Sequence, residues 1–283
     1  MRLSQGQLNL LTACPRRFQH VYLDQLASPV SPEQQENMAW GNRFHLLMQQ
    51  YELGLPVTEL ELTSEVGLVE AVQTFRATAP ELFGDRSPAS PPPASPPPAS
   101  RPPISHSIVF RQSEHRRSLE LHGYLLTVIY DLIILDTEQA QILDWKTYPK
   151  PQNQQRLAQD WQTRLYRFVL VETSGYLPEQ LSMTYWFVRT SRQESTALKP
   201  QSVRFAYSTA EHERTRQDLT QLLDQLTHWL DHYTNGTEFP RAEELRGTCN
   251  LCEVAPRCQW DVHRMANPAY EWADVTSIAE VVV

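Results

Sequence analysis

The residues best suited by type and spacing to do chemistry lie in one stretch. Tyr130 to Lys146 reads Y-D-L-I-I-L-D-T-E-Q-A-Q-I-L-D-W-K. Two β-favouring apolar runs flank a polar connection from Asp136 to Gln141, the pattern of neighbouring strands. Alternate strand residues share a face, so Asp144 and Lys146 point one way and Trp145 the other. A hairpin pairing brings Asp131 beside them. Two carboxylates and an ammonium at the end of an apolar sheet are costly to bury unless they pair or hold a cation. Carboxylate oxygens suit Mg²⁺ or Mn²⁺, which bind through a few protein carboxylates together with water and the phosphate oxygens of a substrate. Such an ion acidifies a water and screens a phosphodiester, and Lys146 is placed to orient that water or steady developing negative charge. The plainer reading is a strand-end salt bridge between Asp144 and Lys146, and D-x-K taken alone favours it.

A second set of reactive side chains is made by the four cysteines, Cys14 near one end and Cys249, Cys252 and Cys258 near the other. C-x2-C-x5-C reads as a metal or cluster site rather than a disulfide framework. Its three ligands leave one place, which only Cys14 can fill, tying the first helix to the last segment. Four thiolates suit either a 4Fe–4S cluster or a structural Zn²⁺.

The elements that must position these groups follow from periodicity. Ser4 and Gln7 frame a helix start before Leu8, Leu10 and Leu11, and Pro15 marks a break or a fresh start within Cys14-Pro-Arg-Arg-Phe. Met38 to Leu53 is a helix whose apolar stripe runs through Phe44, Leu47, Met48 and Tyr51, with His45 beside it. Ser64 to Ala79 is another, closed by Pro80. Ser87 to Pro103, with its duplicated P-P-P-A-S unit, cannot pack a core and reads as an extended spacer. Strands are expected over His106 to Arg111, Ser118 to Leu135 with a bend or split near Gly123, and Gln141 to Thr147. A helix from Arg156 to Ser174 carries Gln162 and Tyr166 four residues apart, on one face; Tyr166 also reads as ordinary core beside Leu165 and Val169. Two strands, Leu181 to Arg189 and Gln201 to Tyr207, precede a long amphipathic helix from Thr209 to Asn235.

Asp131 and then Asp144-Trp145-Lys146-Thr147 resemble the active-site core of the PD-(D/E)XK nuclease superfamily, in its RecB-like branch. Gly41-Asn42-Arg43-Phe44-His45 upstream and Gln162-Thr163-Arg164-Leu165-Tyr166 downstream match that branch's further motifs, in order. The resemblance implies an α/β restriction-endonuclease-like core, a central mixed sheet flanked by helices. It implies a metal held by His45, Asp131, Asp144 and the Trp145 carbonyl, with Lys146 serving the attacking water and Gln162 and Tyr166 assisting. Arg16 and Arg17, within a Ser…Cys-Pro-Arg-Arg-Phe pattern like the family's, are offered as phosphate contacts. One position departs from the pattern, since Val128 stands where a glycine commonly precedes the first aspartate. The cysteine spacing resembles the iron–sulfur staple of AddB-type and CRISPR-associated exonucleases, which favours a 4Fe–4S cluster over zinc at Cys14, Cys249, Cys252 and Cys258.

Composition sets the limits. The chain has 283 residues, 41% of them hydrophobic, and a formal charge of −8, so contact with nucleic acid must use a local groove rather than a broadly basic surface. Three of the 25 basic residues are lysines, Lys146, Lys150 and Lys199, and two of them lie in or just after the proposed site. No apolar run is long enough to span a bilayer and no signal peptide opens the chain, so a cytoplasmic protein is expected. The expected organisation is a helical N-terminal lobe (1–84), a Pro-rich linker (85–104), a nuclease core (105–235) and a cysteine region with its tail (236–283). The expected function is Mg²⁺- or Mn²⁺-dependent cleavage of DNA, as a single-strand exonuclease in repair or recombination, acting on single strands or DNA ends. No G-x-x-x-x-G-K-[ST] motif is present, so any helicase motor of that type is a partner. Two other classes stay open: a nuclease fold that holds a DNA end without cutting, and a zinc-stabilised interaction protein.

Overall fold

The computed structural model describes residues 1–27, 29, 31–56, 66–83, 108–148, 153–188, 200–242, 249 and 252–258. The Pro-rich segment, Lys150, Lys199 and the tail beyond residue 258 lie outside the described residues. The chain divides into two compact units, Met1–Asn9 with Val30–His228 and Leu10–Pro29 with Trp229–Val283.

The first unit is built on a six-stranded mixed sheet: β1 (Arg2–Leu3), β2 (Ile108–Leu121), β3 (Tyr124–Asp136), β4 (Ala140–Lys146), β5 (Leu181–Phe187) and β6 (Gln201–Ala206). The order is β1-β3-β4-β5-β6, with β2 also on β3. Two pairs are parallel, β1 with β3 and β4 with β5, and the rest are antiparallel. A parallel neighbour needs a crossover, supplied between β4 and β5 by α5 (Gln154–Gln159) and α6 (Trp161–Glu172). The α/β class read from the sequence is the class observed.

One expected feature takes its definite form here, and others differ from expectation, each for a local reason. The long run splits at His122-Gly123, where φ of 50° and 78° make the two-residue turn that matches strand twist and that glycine permits at no steric cost. The polar stretch Gln112 to Arg117, left between two expected strands, is itself strand, because β2 pairs along β3 from Leu121↔Tyr124 to Ile108↔Asp136. The expected single helix after residue 156 breaks at Asp160, whose backbone is extended (φ −63°, ψ 140°) and whose carboxylate caps α6 by accepting from the Gln162 N–H. β1 was not anticipated; two residues carry no readable period.

One consequence of the pairing governs the site. β2 occupies one edge of β3 throughout, while the other edge is shared by β1 at Leu125 and Leu126 and by β4 at Leu132 to Leu135. Residues 127–131 therefore have no strand on that side, and Asp131 closes the gap next to β4.

Helices pack the sheet through the stripes the sequence displays. α3 (Pro32–Glu52) starts earlier than expected, behind a capping box of Ser31 and Gln34 with Pro32 at its first position. With α4 (Val66–Thr78) it buries Phe44, Leu47, Met48, Leu68, Val72 and Phe75 against Leu132, Leu143 and Trp145. Phase alternation holds on β4: Trp145 enters this core, its ring 5.3 Å from that of Phe75. Burying large aromatic and aliphatic side chains stabilises by roughly 1.5–3 kcal/mol each, so this layer fixes α3 firmly on the sheet. α7 (Thr209–Thr234) buries Leu219, Leu222, Leu223 and Leu226.

In the second unit, Cys14 is extended (φ −162°, ψ 105°) and Pro15 opens α2 (Pro15–Phe18), followed by a π-helical turn over Gln19–Leu23. Arg16 is buried; its Nε donates to the Phe239 carbonyl at 2.6 Å and its guanidinium pairs with Glu238. Arg17 binds Glu253 through two nitrogens at 2.7–3.0 Å. The phosphate role expected of Arg16 is corrected, because a buried guanidinium has no access to a substrate; Arg17 is partly exposed beside Glu253.

Candidate active site

Asp144 and Lys146 sit at the end of β4, past the last β3–β4 pair, Leu132↔Leu143. There β4 pairs only with β5, and the Trp145 N–H donates instead to Asp131 Oδ2 at 2.6 Å. Asp131 thus ends the gap in the ladder by bonding the strand that carries the other acid. Its second oxygen lies 3.3 Å from His45 Nδ1, which α3 projects from the opposite helical layer.

Asp144 is 2% exposed and needs partners there. Lys146 Nζ lies 2.6 Å from its Oδ1, and Gln162 Nε2 donates to its Oδ2 at 2.6 Å. Lys146 also donates to Gln162 Oε1 at 2.6 Å, so the three side chains close a triangle across β4 and α6. Lys146 Nζ stands 5.0 Å from the centre of the Tyr185 ring. Tyr166 is buried one helical turn beyond Gln162, its ring edge-on to that of Tyr130 at 5.3 Å, and the Tyr130 hydroxyl donates to the Tyr166 carbonyl. Tyr166 therefore packs beside the site on the helix that carries Gln162.

The electrostatics follow from crowding acids in a closed place. Burial, with Asp131 adding to it, pushes the Asp144 carboxyl up to about 7 against the pull of Lys146 and His45. Burial favours neutral Lys146, but Asp144 outweighs it and raises the ammonium's pKa. His45 is likewise raised, burial being overcome by Asp131.

Sequence reasoning missed one member. Glu114 is the residue of β2 that faces Asp131 between the pairs Ser113↔Leu132 and His115↔Tyr130. Its φ is 49°, a left-handed value that a non-glycine residue adopts at some cost. Burial and Asp131 raise its carboxyl. Nothing in the polar run around it marks it out; counting outward from the His122-Gly123 turn would have paired it with Asp131.

His45, Glu114 and Asp131 offer ligand atoms that all lie within 4.8 Å of one another. Two carboxylates and one imidazole suit a hard divalent ion such as Mn²⁺ or Mg²⁺. Asp144 stands next to this group, engaged by Lys146 and Gln162, and Trp145 contributes its N–H to Asp131.

A mixed sheet whose adjacent strands deliver two aspartates and a lysine, with a histidine and a glutamine from flanking helices, is the framework of a metal-dependent nuclease. The family model described as the PD-(D/E)XK nuclease superfamily matches residues 2–259, and the chain belongs to that superfamily. Its fold is similar to the crystal structure of a protein from Eubacterium rectale assigned as an exonuclease. That similarity has a TM-score of 0.51 at 10% identity, over 90% of this chain and 87% of the other. No curated protein matches the sequence.

In the second unit the described cysteines form no disulfide with one another. The Cys252 N–H donates to the Cys249 carbonyl at 3.2 Å, and a 3-10 turn over Ala255–Cys258 follows. Burial raises the Cys258 thiol, and Cys14 and Cys252 are near enough to raise it further against Arg16. Among the described residues the cysteine ligand atoms do not form a group of three within 4.8 Å of one another. No described helix is long and apolar enough to cross a membrane.

Proposed function

We propose that the protein is a metal-dependent DNA nuclease, acting as a single-strand exonuclease of the RecB-like kind in repair or recombination. The observation that carries this reading is the closed Asp144–Lys146–Gln162 triangle set beside the His45, Glu114 and Asp131 ligand group. Asp131 and His45 would hold the ion with Glu114, and Asp144 and the Trp145 carbonyl complete its surroundings. When bound, a divalent ion supplies an acidified water and a screen for phosphodiester charge.

The chain's own residues do the rest. Lys146, favoured as the cation by Asp144, would hold the attacking water and steady charge that develops on the phosphate. Gln162 bonds both Lys146 and Asp144, and Tyr166 would assist from the buried side of the same helix. An overall charge of −8 makes binding local, so the substrate is a strand or an end entering the site, in a cytoplasmic setting, with a separate helicase as a fitting partner. At the cysteines we favour a 4Fe–4S cluster over Zn²⁺, held by Cys14, Cys249, Cys252 and Cys258.

The test is degradation of 5′- and 3′-labelled single strands with Mn²⁺, with chelator as control. Stepwise shortening from an end supports the exonuclease reading; binding without cleavage in any metal would leave only a DNA-holding module. A visible charge-transfer absorption in anaerobically purified protein supports the cluster, and stoichiometric zinc in colourless protein supports the alternative.

A further inference from the structure

Two residues beyond Lys146 the chain leaves an aromatic ring in water. Among the described residues the exposed aromatic rings are Tyr22, Phe110 and Tyr148, and Tyr148 is the most open, at 47%. A scattered exposed tyrosine needs no explanation. This one is held in place and stands at the site. Its ring meets that of Phe187 at 5.8 Å and 67°, and Phe187 is fully buried and is the β5 residue paired with Lys146. The same register pair therefore carries the ammonium and anchors the ring. The ring is thus anchored beside the strand end that carries Lys146, and burial raises its hydroxyl, with Lys146 opposing and Asp144 and Asp160 adding to the shift.

We propose that Tyr148 is a stacking platform for the nucleobase adjoining the cleaved phosphodiester, and thereby selects unpaired nucleotides. An aromatic ring fixed at its edge and open to solvent gives a flat apolar surface to any base, whatever its sequence. A base within a duplex already has both faces stacked and cannot use it; an unpaired base can. The inference rests on the nuclease reading and names the form of substrate that its site accepts.

The experiment uses the full chain with Mn²⁺ and short single strands, either intact or carrying one abasic site moved stepwise along the strand. In the wild type, one abasic position near the cleaved bond raises KM about tenfold, the scale of losing one stacked base, with kcat changed less. Tyr148→Ala raises KM similarly on the intact strand and is indifferent to the abasic site at that position, while Tyr148→Phe keeps the discrimination. Matched melting temperatures and the loss of only that position's effect separate stacking from a structural role. Tyr148→Ala that still discriminates the abasic strand overturns the proposal, as does a wild type indifferent to abasic sites throughout. If no strand is cut, the nuclease reading fails separately, and fluorescence anisotropy of the same strands with Ca²⁺ reads the stacking directly. The same pattern of affinities sustains Tyr148's role; equal affinities overturn it.

Discussion

Gly41 of α3 approaches Thr147, the residue after Lys146, so closely that a Cβ on the glycine would stand 3.0 Å from the threonine Oγ1. The glycine lets the helix lie against the end of β4, and one turn further on the same helix presents His45 to Asp131. The spacing G-x-x-x-H is thus a packing requirement and a ligand requirement on one helical face.

Gly41→Ala should push α3 off β4 by a few tenths of an ångström and lower metal-dependent cleavage by about tenfold or more, since small misplacements of a reacting group are costly. Thr147→Ala should restore much of the loss in the double variant, because the added methyl meets the threonine side chain. The check is a double-mutant cycle on kcat/KM. Equal defects in the single and double variants would remove the packing explanation.

Glu114→Gln should weaken Mn²⁺ binding by at least about tenfold, on the scale that even an outer partner of a metal ligand costs. Glu120→Gln, further along the exposed side of the same strand, should leave binding unchanged. Isothermal titration with Mn²⁺ measures this without any cleavage. Wild-type affinity in Glu114→Gln would take that carboxylate out of the ligand set.

The second unit should loosen in acid. For Asp24, burial works to raise the carboxyl, but bonds from Tyr233, His20 and Gln19 prevail and hold it below its ordinary 3.8. For Glu253, burial is likewise overcome, by a backbone bond and Arg17, holding it below its ordinary 4.5. Lowered folded values mean that the unfolded chain takes up protons first as pH falls. The stability these groups contribute is complete above both ordinary values and is lost as pH drops through 4.5 and 3.8 to the folded ones. Hydrogen-exchange protection factors over residues 14–24, taken relative to the unstructured rate at each pH, should fall across that window, and less so in Asp24→Asn. A flat profile would contradict the assignment.

Much of this arrangement is written in local pattern, and the remainder is not. Two-residue periodicity separates Trp145 from Asp144 and Lys146, and the structure buries the indole in the α3–α4 core while the other two meet Gln162. The four-residue step from Gln162 to Tyr166 survives because it lies within α6. Glu114 and the bonds of Arg16 and Arg17 depend on strand register and on partners more than 200 positions away, such as Glu238 and Glu253, which no window of sequence contains. The break at Asp160 was hidden because its cap is completed by Asn9, whose amide meets Asp160 at 3.1 Å and whose carbonyl accepts from the Trp161 N–H. Val128, which stands where the RecB-like resemblance leads one to expect glycine, is buried at 1% and shows that this strand is packed at that point.

The central claim is that acids from two neighbouring strands, with an ammonium between them and α6, cut a nucleic-acid backbone. Its most direct measurement is the Mn²⁺-dependent release of nucleotides from single-stranded DNA by wild type, Asp144→Asn and Lys146→Ala, with circular dichroism and melting followed in parallel. The account predicts rapid release by the wild type and a loss of roughly 10²–10³-fold or more in either folded variant. Undiminished release by a folded Lys146→Ala or Asp144→Asn protein would contradict it.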